Sequence, residues 1–312
     1  MKLSVQTLLK GVVDYAGLFP PAGLDMTSSI RNYGAYVSGV CAWALGRFVV
    51  PVSRLEEFNF HIAAYIAEER EKRRKLAERG EPWRLSALTD SDLKTDLERI
   101  KQFNGWHEER DETLKVVIDA IEVKAESGEA IAGTGKTSPD SLRVFYEVPV
   151  DGDPDELLSA IARTGGAAKV RTGGVTHEMV PAAQALIRFL DACLRYGVRF
   201  KATGGLHHPL YNVRALTYDP ASPKSAMHGF LNLLLSAAFM YDGMKPEDAL
   251  AVATEQSAEA FLFDDDGVEW RGHRLTVDTL AAVRRDFAVS FGSSSFEGPM
   301  EELRRLDLYA RS

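Results

Sequence analysis

Cysteine is almost missing from this chain. Only Cys41 and Cys193 occur in 312 residues, and they form no Cys-x-x-Cys pair. That excludes a disulfide scaffold and a cysteine-rich zinc or iron–sulfur site, and it suits a reducing, cytoplasmic setting. Basic residues are outnumbered, 37 against 45 acidic ones, for a formal net charge of −8. A surplus of that sign argues against nucleic acid or an anionic membrane as partner. Long apolar runs are lacking as well. The most hydrophobic stretch, Gly229–Tyr241 (GFLNLLLSAAFMY), is too short to span a bilayer and reads as a buried core helix. The first residues, MKLSVQTLLKGVVDYAG, carry neither the apolar centre nor the cleavage pattern of a secretory signal. What is present, 45% hydrophobic and 26% charged residues, is the balance of an ordinary globular protein.

A chain of this length fits either two average domains or one large barrel. Short β-rich runs punctuate it: Val12–Phe19, Arg47–Val52, Leu85–Thr89, Val116–Lys124, Val144–Val150, Ala167–Thr172, Val198–Thr203 and Phe287–Phe291. Helical patterns lie between them. Leu55, Phe58, Ile62, Tyr65 and Ile66 recur at helix spacing within Arg54–Arg79, and Asp155–Arg163 and Pro181–Tyr196 follow, the latter ending before Gly197. Strands alternating with helices imply parallel pairing and right-handed crossovers. Eight of them favour a single (β/α)8 TIM-type barrel over residues 1–312, with an elaborated helical segment before the last strand. That segment, His208–Asp286, reads as a helical insertion or lid with helices near Ala226–Tyr241, Pro246–Phe261 and Thr276–Arg285. The charge-dense run Glu68–Arg79 reads as a solvated helix face.

One motif misleads. Gly133–Thr137 (GTGKT) suggests a phosphate loop, but position 130 is Ala where the first glycine belongs. A strand also follows within a few residues, which leaves no helix N-terminus for the phosphate. The segment reads instead as a mobile glycine-rich loop.

The strand ends carry more. Alternation along a strand puts Glu122 with Lys124, Lys169 with Arg171, and Lys201 with Thr203 on shared faces, with Glu147 placed likewise on its own strand. Burying such groups is costly unless they pair and serve a site. The C-terminal ends of barrel strands are where sites form. Two Glu, three Lys and an Arg are therefore expected at one barrel mouth, though a structural ion-pair ring would use the same residues. Two strand ends resemble each other, Lys169-Val-Arg-Thr-Gly-Gly174 and Lys201-Ala-Thr-Gly-Gly205, and Phe291-Gly-Ser-Ser-Ser295 closes the last strand ahead of a helix near Pro299. Glycines there let backbone N–H groups approach an anion, and Ser293, Ser294 and Ser295 add hydroxyls. A nucleophilic lysine must be neutral. A second ammonium roughly 5 Å away on the next strand would lower its pKa, and Glu122 or Glu147 could shuttle protons. His207 and His208 read as loop histidines at the mouth, as substrate contacts, or as one ligand of a carboxylate–imidazole metal site. Asp14 and Asp90 read as capping or lining residues.

These three segments resemble deoxyribose-phosphate aldolase. That family carries a Schiff-base lysine in a Lys-x-x-Thr-Gly segment, a second lysine in Lys-Ala-x-Gly-Gly, and a closing Gly-x-Ser-Ser turn. Lys169, Thr172 and Gly173 match the first segment. Lys201, Ala202, Gly204 and Gly205 match the second, and Gly292, Ser294 and Ser295, or Ser293, match the third. The resemblance covers short pieces of the chain. It implies a barrel, imine chemistry on Lys169 with Lys201 beside it, and a phosphate held by the second and third segments. Two features depart from the pattern: the long 208–286 segment, and Arg171 in place of a small residue, which implies a further anionic group. Asp119 is the position offered for the family's acid, although alternation puts it on the face opposite Glu122.

The function expected is a lysine-dependent lyase or aldolase acting on a small phosphorylated or carboxylated carbonyl compound. It would need no cofactor or resident metal, and the protein is a possible homo-oligomer. The alternatives are a metal-dependent barrel hydrolase or isomerase using Glu122, Glu147 and a histidine, and a non-catalytic phosphate-ligand-binding barrel.

Overall fold

The computed structural model describes residues 1–68, 82–90, 92–109, 114–217, 219 and 221–308. Beyond Glu68, the charged run lies outside the described residues. Every strand anticipated from the sequence forms: β1 (Val13–Tyr15), β2 (Leu45–Pro51), β3 (Trp83–Leu88), β4 (Val116–Lys124), β5 (Arg143–Val148), β6 (Ala167–Arg171) and β7 (Arg199–Thr203). Five short strands and one longer one follow: β8 (Asn212–Ala215), β9 (Lys224–Met227), β10 (Phe261–Phe263), β11 (Gly267–Trp270), β12 (His273–Thr276) and, completing the set, β13 (Ala288–Ser293). β1 to β7 and β13 close into one parallel barrel, with β13 seated between β7 and β1. This is a (β/α)8 TIM-type barrel.

The helices are α1 (Leu3–Leu9), α2 (Met26–Ser38), α3 (Leu55–Glu68), α4 (Leu93–Glu109), α5 (Gly128–Thr137), α6 (Asp155–Thr164), α7 (Ala183–Tyr196), α8 (Phe230–Tyr241), α9 (Pro246–Ala253), α10 (Val277–Asp286) and α11 (Glu297–Arg305). Each amphipathic crossover lays its apolar stripe on the barrel: in α3 that stripe is Leu55, Phe58, Ile62 and Tyr65. α6 and α7 end on Gly165 and Gly197, both left-handed, a conformation glycine adopts without a Cβ penalty. GTGKT proves to be the C-terminal half of α5, which Ser127 caps through a bond from Ala130 N–H, so it is helix and not a mobile loop. The phosphate loop is still excluded, because the glycines close a helix where the motif must open one.

The 208–286 segment holds the three expected helices, but α9 stops at Ala253, and five strands lie around them. β8 and β9 form a hairpin, and β10, β11 and β12 form an antiparallel sheet. α8 is apolar on every side because it is covered on every side, by α7, α9, α10 and β13. Its one amide, Asn232, is fully engaged, donating to the carbonyls of Val252 and Glu255 and accepting from Tyr211 N–H. Among the described residues no helix is long and apolar enough to cross a membrane.

The barrel lumen is layered. Ala120, Phe145, Ala167 and Val289 form a small apolar cluster apart from the main core. Strand alternation places charged side chains above and below this plug. Two of the barrel's register shifts bear on this layer. Asp119 in β4 and Val289 in β13 are each skipped in the pairing with the neighbouring strand, so each is a bulge that resets the alternation. Asp119 therefore faces the lumen after all, but at its N-terminal end.

On the outer side, Phe48 is completely buried with its ring 5.9 Å from Tyr15, 5.4 Å from Tyr33 and 5.6 Å from Phe58. Phe48→Ala leaves a void that three rigid rings cannot fill, so urea denaturation is expected to show a loss of about 3–5 kcal/mol. A loss below about 1 kcal/mol would mean that the cluster is loosely packed.

Candidate active site

Parallel register brings Glu147, Lys169 and Lys201 side by side across β5, β6 and β7. From β4 Glu122 reaches them, and from β1 Asp14. Lys201 Nζ lies 2.6 Å from Asp14 Oδ2 and 2.7 Å from Glu122 Oε1. Glu122 Oε2 lies 2.7 Å from Lys169 Nζ, which also contacts Glu147 Oε2 at 2.7 Å. Glu147 Oε1 in turn accepts from Arg171 at 3.1 Å. The result is an unbroken chain of alternating charge, Asp14–Lys201–Glu122–Lys169–Glu147–Arg171, drawn from five strands.

Hydroxyl and amide donors satisfy the remaining carboxylate lone pairs. Ser86 Oγ donates to Glu122, Ser290 Oγ to Asp14, and Arg47 N–H to the other Asp14 oxygen. Lys201 also sits 5.0 Å above the Phe145 ring, on top of the plug.

The electrostatics follow from this chain. Burial works to raise the Glu122 carboxyl, but the two ammoniums outweigh it and hold the group well below its ordinary value of 4.5. Glu147 is also lowered: burial opposes, and Lys169 and then Arg171 prevail. Burial works to lower Lys201, but Asp14 and Glu122 reverse it and raise the group above 10.5. Lys201, the second lysine of the pair, is thus raised because Glu122 lies between it and Lys169 and Asp14 flanks its other side. His207 falls to about 4, first through burial and then through the neighbouring His208. It is a neutral imidazole at pH 7.

A cavity of about 280 Å³ opens above the lysines. Glu122, Lys169, Lys201, Arg171, Gly173, Gly204, Gly205, His207 and Ser294 line it, opposite an apolar wall that includes Phe19, Val49, Leu88 and Met179. Glu147 stands just behind Lys169. Lys124 is not part of the group: it is the last residue of β4, exposed at the rim.

Thr172 and Ser295 are expected at the ligand but are turned away. Thr172 Oγ1 donates to Gly204 O at 2.6 Å, and Ser295 Oγ accepts from Gly298 N–H ahead of α11. Ser293 Oγ donates to Ser295 O and lies 3.4 Å from His207 Nδ1. The Ser294 hydroxyl is buried, lines the cavity and has no hydrogen-bond partner among the described residues. The glycines have a structural reason of their own. Gly204 and Gly205 have φ of 79° and 74°, and a Cβ on Gly204 would come within 2.4 Å of Gly173 O, so the two strand-end turns interlock. The N–H groups of Gly173, Gly204 and Gly205 make no hydrogen bond to a described residue.

Among the described residues no group of three or more His, Cys, Asp or Glu side chains gathers as a metal site. The oxygens of Glu122 and Glu147 that the metal reading needs are occupied by ammonium and guanidinium groups, and His208 bonds Glu302 at 2.7 Å. Asp14 is the residue the sequence reading undervalued.

The network is stabilising only while both signs are charged. Glu122 and Glu147, lowered on folding, contribute above about pH 4.5 and lose that contribution as pH falls through their folded values. His207 adds a further loss between about 6.5 and 4. Lys201, raised on folding, contributes below about 10.5 and loses it as pH climbs past its folded value. Glu122→Gln leaves two buried ammoniums short of a carboxylate. It is expected to cost about 3–5 kcal/mol in urea denaturation at pH 7, and the gap from the wild type should narrow as pH falls below about 4.5. An equal gap at both pH values would contradict this electrostatic reading. Neither protein-family models nor curated proteins provide a match to this chain.

Proposed function

We propose that this barrel is a Schiff-base lyase, aldolase-like in chemistry, acting on a small phosphorylated or carboxylated carbonyl compound with Lys169 as the imine-forming amine. The observation that carries this reading is the position of Lys169 between Glu122 and Glu147 under the cavity. Lys201 is held by two carboxylates that are themselves almost wholly buried, so its proton is hard to release. The outer partner of Lys169 is a quarter exposed and shared with Arg171, so rearrangement there costs less. The resemblance of the three strand-end segments to deoxyribose-phosphate aldolase favours the same lysine.

Lys169 gives a proton to a flanking carboxylate and attacks the carbonyl carbon. The carbon–nitrogen bond forms as the carbonyl pair moves to oxygen, which takes up the proton. Loss of water then leaves an iminium cation where the ammonium stood, between the same two carboxylates, so the charge pattern is conserved and little reorganisation is needed. In the cleavage direction a base removes the substrate hydroxyl proton. The carbon–carbon pair flows to the iminium nitrogen to give an enamine, and an aldehyde departs. Protonation at carbon and hydrolysis return the amine. His207, neutral and lining the cavity, is suited to take the hydroxyl proton. Lys201 keeps its charge and fixes Glu122.

The anionic end of the substrate is assigned to Arg171, the Ser294 hydroxyl and the open N–H groups of Gly173, Gly204 and Gly205. Arg171 would then exchange Glu147 for the ligand, which frees that carboxylate to accept the Lys169 proton.

Incubation with small aldehydes or phosphorylated ketoses, borohydride reduction and peptide mapping should yield an adduct on Lys169. Lys169→Met should abolish it without unfolding the barrel. No adduct with any carbonyl tested would overturn the imine reading. A phosphorylated aldehyde should label at lower concentration than its unphosphorylated counterpart, and Arg171→Ala should shrink that preference by about tenfold, or 1.4 kcal/mol. An unchanged preference would remove Arg171 from the anion site.

A further inference from the structure

The other end of the lumen is also built. Below the plug, the N-terminal opening of the barrel is a second cavity of about 430 Å³, walled by Arg47, Arg84, Arg143, Arg199, Asp119 and Ser138. Each arginine lies at or near the start of a different strand, on the lumen-facing side by alternation. Asp119 answers two of them. Arg47 contacts it through Nε at 2.6 Å and Nη2 at 3.0 Å, and Arg84 through Nε at 2.6 Å. The guanidinium groups of Arg143 and Arg199 make no hydrogen bond or ion pair to any described residue. The Ser138 hydroxyl is buried and also lacks a partner there. Asp140, exposed at the rim, is the second acid of the lining, which leaves an excess of two positive charges.

Four guanidiniums converging on one concavity repel one another, and two of them have only longer-range attraction to set against this, Asp119 acting on Arg143 and Asp286 on Arg199. Arg143 shows the strain: burial, then Arg199, Arg47 and Arg84, lower its affinity for a proton against the opposing pull of Asp119. Such an arrangement is favourable once a multiply charged anion sits among the arginines, because each free guanidinium can then make a bidentate contact to an oxyanion. Two free guanidiniums suit two linked oxyanions. The cavity is many times the roughly 30 Å³ that a water occupies in the liquid, so a group larger than a single phosphate fits. Active sites in such barrels lie at the opposite end, so this one binds without chemistry.

We infer that the N-terminal end of the barrel is a second anion site, one that takes a diphosphate group on Arg143 and Arg199 with the Ser138 hydroxyl as an added donor. The inference is independent of the imine reading, since the plug separates the two cavities.

The test is titration calorimetry of the full-length protein with inorganic pyrophosphate at low ionic strength, with ADP as a second arm to distinguish free from nucleotide-borne diphosphate. Wild type is expected to bind at least one of them. Binding should persist in Arg171→Ala, where the mouth site is weakened, and adding the double variant Arg143→Gln with Arg199→Gln to it should weaken binding at least about tenfold. Without anion the double variant should melt no lower than wild type, because like charges have been removed. Absence of binding of both probes to wild type, undiminished binding when the double variant is added to Arg171→Ala, or loss of binding in Arg171→Ala would overturn the proposal.

Discussion

Everything at the mouth of this barrel depends on Glu122. Among the described residues its two oxygens are the only link in the charge chain between the Lys201–Asp14 pair and the Lys169–Glu147–Arg171 triplet. A buried ammonium is costly unless it is paired, and two of them on neighbouring strands are tolerable only with a carboxylate between them. Glu122 fills that position because β4 delivers it from across the lumen, where Ser86 Oγ holds it through a hydrogen bond. Asp14 repeats the device on the far side of Lys201. The site is thus a linear alternation in which each charge is flanked by its opposite, and its one loose end, Arg171, points at the cavity.

That alternation also explains which lysine is suited to chemistry. Lys201 is locked between two fully buried acids and rests on an aromatic ring. Lys169 borders the open end of the chain, where an incoming anion can draw Arg171 away from Glu147. In the proposed reaction, binding and activation would be coupled there through one carboxylate.

Much of this was legible from the sequence, for physical reasons. The barrel strands are apolar runs ending in polar residues, and the spacing of helices between them leaves few topologies. Lys169, Lys201, Glu122 and Glu147 stood out because charge inside a strand is expensive. Other features left no such trace. β1 has three residues, and Asp14 reads from the sequence only as a capping or lining residue. β8 to β12 are short, half-exposed strands with weak alternation. GTGKT looked like a loop because glycine disfavours helix, yet α5 packs on α6 and holds it. Alternation alone puts Asp119 on the wrong face because a bulge cannot be seen in a residue pattern, and the arginines near the strand starts form no motif that spacing could single out.

The apolar plug has a consequence for traffic. Ala120, Phe145 and Ala167 are fully buried, so the lumen is not a pore but two blind wells sharing a floor. Molecules enter and leave each well by the face on which it opens. A partner, a membrane or a second copy of the chain pressed against the N-terminal face would shut one well and leave exchange through the other unobstructed.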